Sequence, residues 1–195
     1  MKVCVFGASS PNLPMVYVDA AHELGREIAL RGWGVINGGG ANGLMRATSD
    51  GALEAGGEAI GIIPRFMVEN GWHYDALTRL IETDDMHSRK RLMQEMSDAV
   101  VALPGGIGTF EELMEVLTWR QLSIVVKPIV ILNTAGYYDS LLAMIEHAIA
   151  QGFIPATHRV LIQAAAMPAE AVTMIADQLA HGVTPTPPKF HQDLK

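Results

Sequence analysis

The 195-residue sequence predicts an α/β, Rossmann-like fold: a mainly parallel sheet of about seven strands with helices on both faces. Three observations predict it. Short apolar runs alternate with longer stretches of helical periodicity. Most runs are continuous rather than alternating, as strands buried on both faces require. Several runs end in glycine-rich segments, where the strand-to-helix turns of such a sheet would lie.

In chain order, "KVCVFG" is the first strand, followed by "FGASSPN", Phe6 to Asn12. That loop has one glycine and two serines and lacks the G-x-G-x-x-G spacing of a nicotinamide-binding turn. A helix is expected over Tyr17–Arg31. "WGVING" is the second strand, and "NGGGANGLM", Asn37 to Met45, turns into a helix over Gly43–Ala55. "EAIGIIP" is the third strand. The connection after it, "RFMVENGWHYDAL", Arg65 to Leu77, carries no clear helix, and its length suits a lid or binding loop. "RLIET" is the fourth strand, with a helix over Ser88–Ser97. "DAVVALPGG" is the fifth and leads through "LPGGIGTFEEL", Leu103 to Leu113, into a helix over Thr109–Leu122. "KPIVILN", a helix over Tyr137–Gln151, "RVLIQ" and a helix over Pro168–Ala180 complete the alternation. One domain over 1–181 is expected, with an extended proline-rich tail over 182–195.

Composition excludes several functions. Lys plus Arg is 14 against 21 Asp plus Glu, a formal net charge of −7, which argues against binding nucleic acid through its phosphates. A single cysteine, Cys4, excludes an intrachain disulfide and a cysteine-rich metal site. The histidines form no H-x-x-x-H pair, so no metal is expected. No signal-peptide core and no run of about 18 apolar residues occurs, so a cytoplasmic protein without membrane contact is expected.

The glycine loops carry the chemistry. Neither "GGGANG" nor "PGGIGT" contains the G-K-S or G-K-T of a Walker loop. Both end where a helix begins. Bare backbone N–H groups at a helix N-terminus form an anion site. One such loop is equally explained as a tight turn; two at neighbouring helix starts favour a ligand that bears phosphate.

Glu112 fits two readings. Thr109 and Glu112 match a capping box, with Thr109 as N-cap. Alternatively, Glu112 lies on the row with Val116 and Trp119, beside the apolar stripe of Phe110, Leu113, Met114 and Leu117, from which a carboxylate could reach across the loop to a ligand. Glu111 and Glu115 share a more solvated row; Glu115, three residues from Glu112, could join the site, but a plain surface acid is the stronger reading. Upstream, Arg89 falls on the apolar stripe of Leu92, Met93 and Met96. A guanidinium on the inward face of a first helical turn opposes both the macrodipole and burial, so an anion should compensate it. The alternative is an arginine snorkelling along the rim, with Lys90 at its side.

"PGGIGTFEE" fits P-G-G-x-G-T-x-x-E, and "MHSRK" fits the M-x-x-R-K segment that precedes it. With "GGGANGLM", "LTWRQL", "KPIVILN" and "YYDSLL", the chain from Val3 to Ile162 resembles the LONELY GUY family, the cytokinin riboside 5′-monophosphate phosphoribohydrolases. The resemblance implies a Rossmann-like nucleotide-binding hydrolase domain, a homodimer or higher oligomer, and no cofactor. It implies that a nucleoside monophosphate, an adenosine 5′-monophosphate with an N6 substituent or AMP itself, is hydrolysed to free base and ribose 5-phosphate. Arg89 and Glu112 would be the catalytic pair. Gly39, Gly40, Gly43, Met86, Lys90, Gly105, Gly106, Ile107, Gly108, Thr109, Glu111, Glu115 and Thr118 would contact the nucleotide, with Glu69 as a contact from the long loop. Relatives have carried the label lysine decarboxylase, but no lysine here stands in a pyridoxal-phosphate context. Arg46 after "GLM" and "QLSIVVKP" depart from the family pattern and bear on the base pocket. The remaining alternatives are an AMP nucleosidase alone and a carrier of a nucleotide or of molybdenum cofactor, which would share the glycine loop without the chemistry.

Overall fold

The computed structural model describes residues 1–183. Seven parallel strands form one sheet in the order β4-β3-β2-β1-β5-β6-β7. They are β1 Lys2–Phe6, β2 Gly34–Asn37, β3 Ala59–Pro64, β4 Arg79–Thr83, β5 Ala99–Ala102, β6 Ile129–Leu132 and β7 Gln163–Ala165. The helices are α1 Met15–Leu30, α2 Gly43–Glu54, α3 Arg65–Glu69, α4 Met86–Glu95, α5 Ile107–Gln121, α6 Asp139–Ala150 and α7 Pro168–His181. The expected α/β fold is therefore the observed one.

Successive residues of a strand point to opposite faces, and the two faces carry separate cores. Val3, Val5, Val35, Val101 and Val130 pack with Leu24 and Ile28 of α1, Leu44 of α2 and Val172 of α7. Cys4, Phe6, Ile36, Val100 and Ile131 pack with Met93 of α4 and Leu113 and Val116 of α5.

Four local expectations change. The 65–77 connection contains the short helix α3, which starts directly after Pro64. Helix α4 begins two residues earlier than expected because the Asp85 carboxylate caps it, accepting a hydrogen bond from the Ser88 N–H at 2.7 Å. "RVLIQ" is not a strand along its length: Ala156–Leu161 is 3₁₀-helical and pairing starts at Gln163, opposite Val130. Its apolar Leu161 serves the core from a helical turn, which a short apolar run cannot distinguish from a strand. Helix α5 begins at Ile107 rather than Thr109, with consequences described below. The expected tail, beyond Gly182 and Val183, lies outside the described residues.

No helix among the described residues is long and apolar enough to cross a membrane.

Candidate active site

The strand order switches between β1 and β5, from which successive strands run outward to either edge. Ligands of open α/β sheets bind at such a switch point, beyond the carboxyl ends of the strands. A cavity of about 520 Å³ opens there, a size typical of small-molecule sites. From the β5 side it receives Gly106, Gly108 and Thr109 at the start of α5. From the centre come Gly7 to Ser10 after β1 and Gly38, Gly40 and Asn42 after β2. From the β3 side come Ile63, Met67 and Trp72, with Met45 and Met86 beside them. One end is thus backbone amide and hydroxyl, and the other is apolar.

Arg89 and Glu112 also line this cavity. Arg89 is 8% exposed. Its Nε donates to the Ile62 carbonyl at 3.0 Å, and its Nη1 stands 3.6 Å from Glu112 Oε1. The compensating anion that the inward arginine required is therefore Glu112. Gly38 makes room for this arrangement: a Cβ there would collide with Arg89 Nη2. Burial pushes the Glu112 carboxyl from its ordinary 4.5 up to about 6, against the opposing pull of the Arg89 guanidinium.

The capping-box reading of Glu112 does not hold. Gly106, in extended backbone, precedes the first helical residue, so Thr109 lies in the first turn and Glu112 in the second. Thr109 instead turns towards Gly105, where a Cβ would collide with its Oγ1. The buried face of α5 carries Thr109, Leu113, Val116, Leu117 and Arg120, so the row of Glu112 and Val116 belongs to the interior. Phe110, placed on the main stripe by sequence, is 36% exposed.

Of the residues singled out from sequence, Gly40, Met86, Arg89, Gly106, Gly108, Thr109, Glu111 and Glu112 line the cavity. Gly39, Gly43, Gly105 and Ile107 belong to the same loops without forming its wall. Lys90 is held between Glu111 and Glu115 and faces a smaller hollow with Glu115 and Trp119. Thr118 donates its hydroxyl to the Met114 carbonyl on the helix surface. Glu69 is exposed at the end of α3, while its neighbour Met67 reaches the cavity. Sequence reasoning missed Ser9, Ser10 and Trp72. The signals were present: the serines follow the first strand, and Trp72 sits in the connection singled out by length.

The family model described as "Possible lysine decarboxylase" matches residues 45–175. Two Arabidopsis thaliana proteins, each named cytokinin riboside 5′-monophosphate phosphoribohydrolase, are 42% identical over 176 residues, covering 90% of this chain and 83% and 82% of theirs. The chain belongs to the LONELY GUY family. The molybdenum cofactor binding protein of Rippkaea orientalis shares the fold with a TM-score of 0.71, at 26% identity, over 91% of this chain and 96% of that one. The family model's description finds no counterpart in the site. Pyridoxal-phosphate decarboxylation needs a lysine for its Schiff base, and no lysine is among the described residues that line the cavity.

Proposed function

We propose that this chain hydrolyses the N-glycosidic bond of N6-substituted adenosine 5′-monophosphates, and of AMP through the same contacts, to free base and ribose 5-phosphate. The observation that carries the reading is the buried Arg89–Glu112 pair in the wall of a cavity that also holds the start of α5. Kinship to proteins named for this activity supports it.

The 5′-phosphate sits against the N–H groups at the start of α5, where the helix dipole also favours negative charge. The adenine and its N6 group extend towards Met45, Met67 and Trp72. Breaking the C1′–N9 bond leaves positive charge on the ribose, as in glycoside hydrolysis. The Glu112 carboxylate stabilises that charge and takes one proton of the attacking water as its oxygen bonds to C1′; the bond electrons leave with the base, which takes up a proton from solvent, and Glu112 returns its own proton to solvent. A carboxyl displaced to about 6 is ionised, yet still basic, at neutral pH. Arg89 anchors the substrate and fixes the carboxylate. A carrier that only holds an anion gains nothing from a carboxylate beside it, which favours the enzyme over the carrier.

The hydrolase domain spans 1–181. We further infer a homodimer or higher oligomer: Leu122, Ile124 and Val126 follow α5 with exposures of 45, 66 and 60%. A nucleotide substrate supports a cytoplasmic location, and the excess of acidic residues argues against nucleic acid as a partner.

Incubation with N6-isopentenyl-AMP and AMP, with chromatography of free base and ribose 5-phosphate, tests the reading. Base and sugar phosphate should appear together. Equal cleavage of the corresponding nucleosides, or release of inorganic phosphate before base, would overturn it.

A further inference from the structure

The loop between β5 and α5 offers its amides to the cavity only if its carbonyls point the other way. Three consecutive carbonyls are held from behind. Leu103 O accepts from the Tyr138 hydroxyl at 2.7 Å, Pro104 O from the Ala8 N–H at 3.1 Å, and Gly105 O from the Tyr137 hydroxyl at 2.5 Å. Two of the three donors are adjacent tyrosines from a different part of the chain.

The turn that delivers them is strained. Ala135 adopts φ 51° and ψ 29°, and Gly136 has φ 71°. A left-handed alanine persists only where its surroundings over-determine it. Here Asn133 does so. Its side-chain oxygen accepts the Tyr138 N–H and its amide nitrogen donates to Asp139 Oδ1, both at 2.7 Å. Tyr138 is 1% exposed, whereas Tyr137 is 37% exposed, packed edge-on between Tyr17 and Tyr138.

We propose that Tyr137 is a positioning residue for anion binding: its hydroxyl locks the Gly105–Gly106 peptide plane with the Gly106 N–H turned towards the ligand's phosphate, while Tyr138 fixes the Leu103 carbonyl at the start of the loop. The physical basis is the two-sidedness of a planar peptide. A flipped peptide would present its carbonyl dipole to the anion and repel it. Flipping the Gly105–Gly106 peptide means breaking the bond from Tyr137. The inference rests on the phosphate placement proposed above, but its test does not require turnover.

The test is calorimetric titration of ribose 5-phosphate and inorganic phosphate into wild type, Tyr137→Phe and Tyr17→Phe. Tyr137→Phe keeps the ring and removes a single part-buried hydrogen bond, so the fold should survive. Its affinity for both ligands should fall about 5- to 20-fold, the range expected for loss of one positioned hydrogen bond. Tyr17→Phe should bind like wild type. With monophosphate substrate, Tyr137→Phe should raise KM by more than it lowers kcat, a split that general destabilisation would not produce. Wild-type affinity in Tyr137→Phe, or an equal loss in Tyr17→Phe, overturns the proposal even if the enzyme releases base as expected. Failure of wild type to bind either phosphate also overturns it. Conversely, a selective loss of phosphate affinity upholds it even if no base is ever released.

Discussion

Replacing Glu112 by glutamine should abolish most activity and stabilise the protein. The folded state raises this carboxyl from 4.5 to about 6. Between those values the folded chain binds more protons than the unfolded chain, so stability falls as pH rises through the window and stays lower above it. A displacement of about 1.5 pH units corresponds to about 2 kcal/mol, at 1.36 kcal/mol per unit. Glutamine carries no charge to desolvate and keeps an acceptor towards Arg89. Above pH 6 the variant should therefore gain about 2 kcal/mol, or roughly 4–8 °C in melting temperature for a chain of this size. Below pH 4.5 the two proteins should melt together. Turnover should fall by about 10²–10⁴, the usual worth of a positioned acid–base group. Calorimetric melts at pH 4, 6 and 8, beside the base-release assay, give both numbers. A lower melting temperature at pH 8, or a difference that does not vary with pH, would refute the desolvation argument. Full turnover would remove Glu112 from the chemistry.

Four further outcomes follow from the site. Arg89→Ala should cut turnover by about 10²-fold or more, and Arg89→Lys should restore little, because a lysine cannot bond the Ile62 carbonyl and face Glu112 with one planar fork. Arg91→Ala, removing only an exposed contact to Glu95, should leave the base-release rate at wild type. The pH profile of kcat/KM should fall about tenfold per unit below pH 6, where Glu112 takes up its proton, and Glu112→Gln should flatten that limb. Trp72→Ala should lower kcat/KM about tenfold or more on N6-isopentenyl-AMP, and much less on AMP, when the two are compared side by side, since it removes apolar wall and touches no amide.

The fold was legible because continuous apolar runs alternating with helices suit strands buried on both faces of a parallel sheet, and the seven strands lie where those runs lie, apart from "RVLIQ". The cavity's glycine end was legible for a similar reason: clustered glycines between a strand and a helix leave the backbone bare at the point where an open sheet takes its ligand. Helix starts were less so. Thr109 looked like a cap because Thr and Glu three apart are common at helix ends, but Gly106 supplied an earlier start, and the face of α5 turned with it. The apolar end was hidden because Met67 and Trp72 enter from a connection whose path is set by long-range backbone bonds. Ala41 N–H donates to Trp72 O, and Tyr74 N–H donates to Gly39 O. Local sequence does not encode such pairing. Lys90 shows the same limit, since its attachment to Glu111 and Glu115 depends on how α4 lies against α5.

The Arg89–Glu112 distance carries a consequence of its own. A charge-assisted hydrogen bond between guanidinium and carboxylate closes to about 2.7–2.9 Å and holds the acid well below its ordinary value. Here the gap is 3.6 Å and the acid is displaced upward. The two facts agree: the arginine is held by the Ile62 carbonyl and passes over Gly38, so its position is set by backbone and not by the carboxylate. Desolvation then outweighs attraction. The carboxylate stays ionised at neutral pH without being quenched, and basic enough to accept a proton from water. A tighter pair would be a better ion pair and a poorer base. Gly38→Ala puts this to the test by pressing on Arg89 Nη2. It should shift the acid limb of the pH profile and lower kcat. An unchanged limb at normal activity would mean that the guanidinium's placement does not govern Glu112.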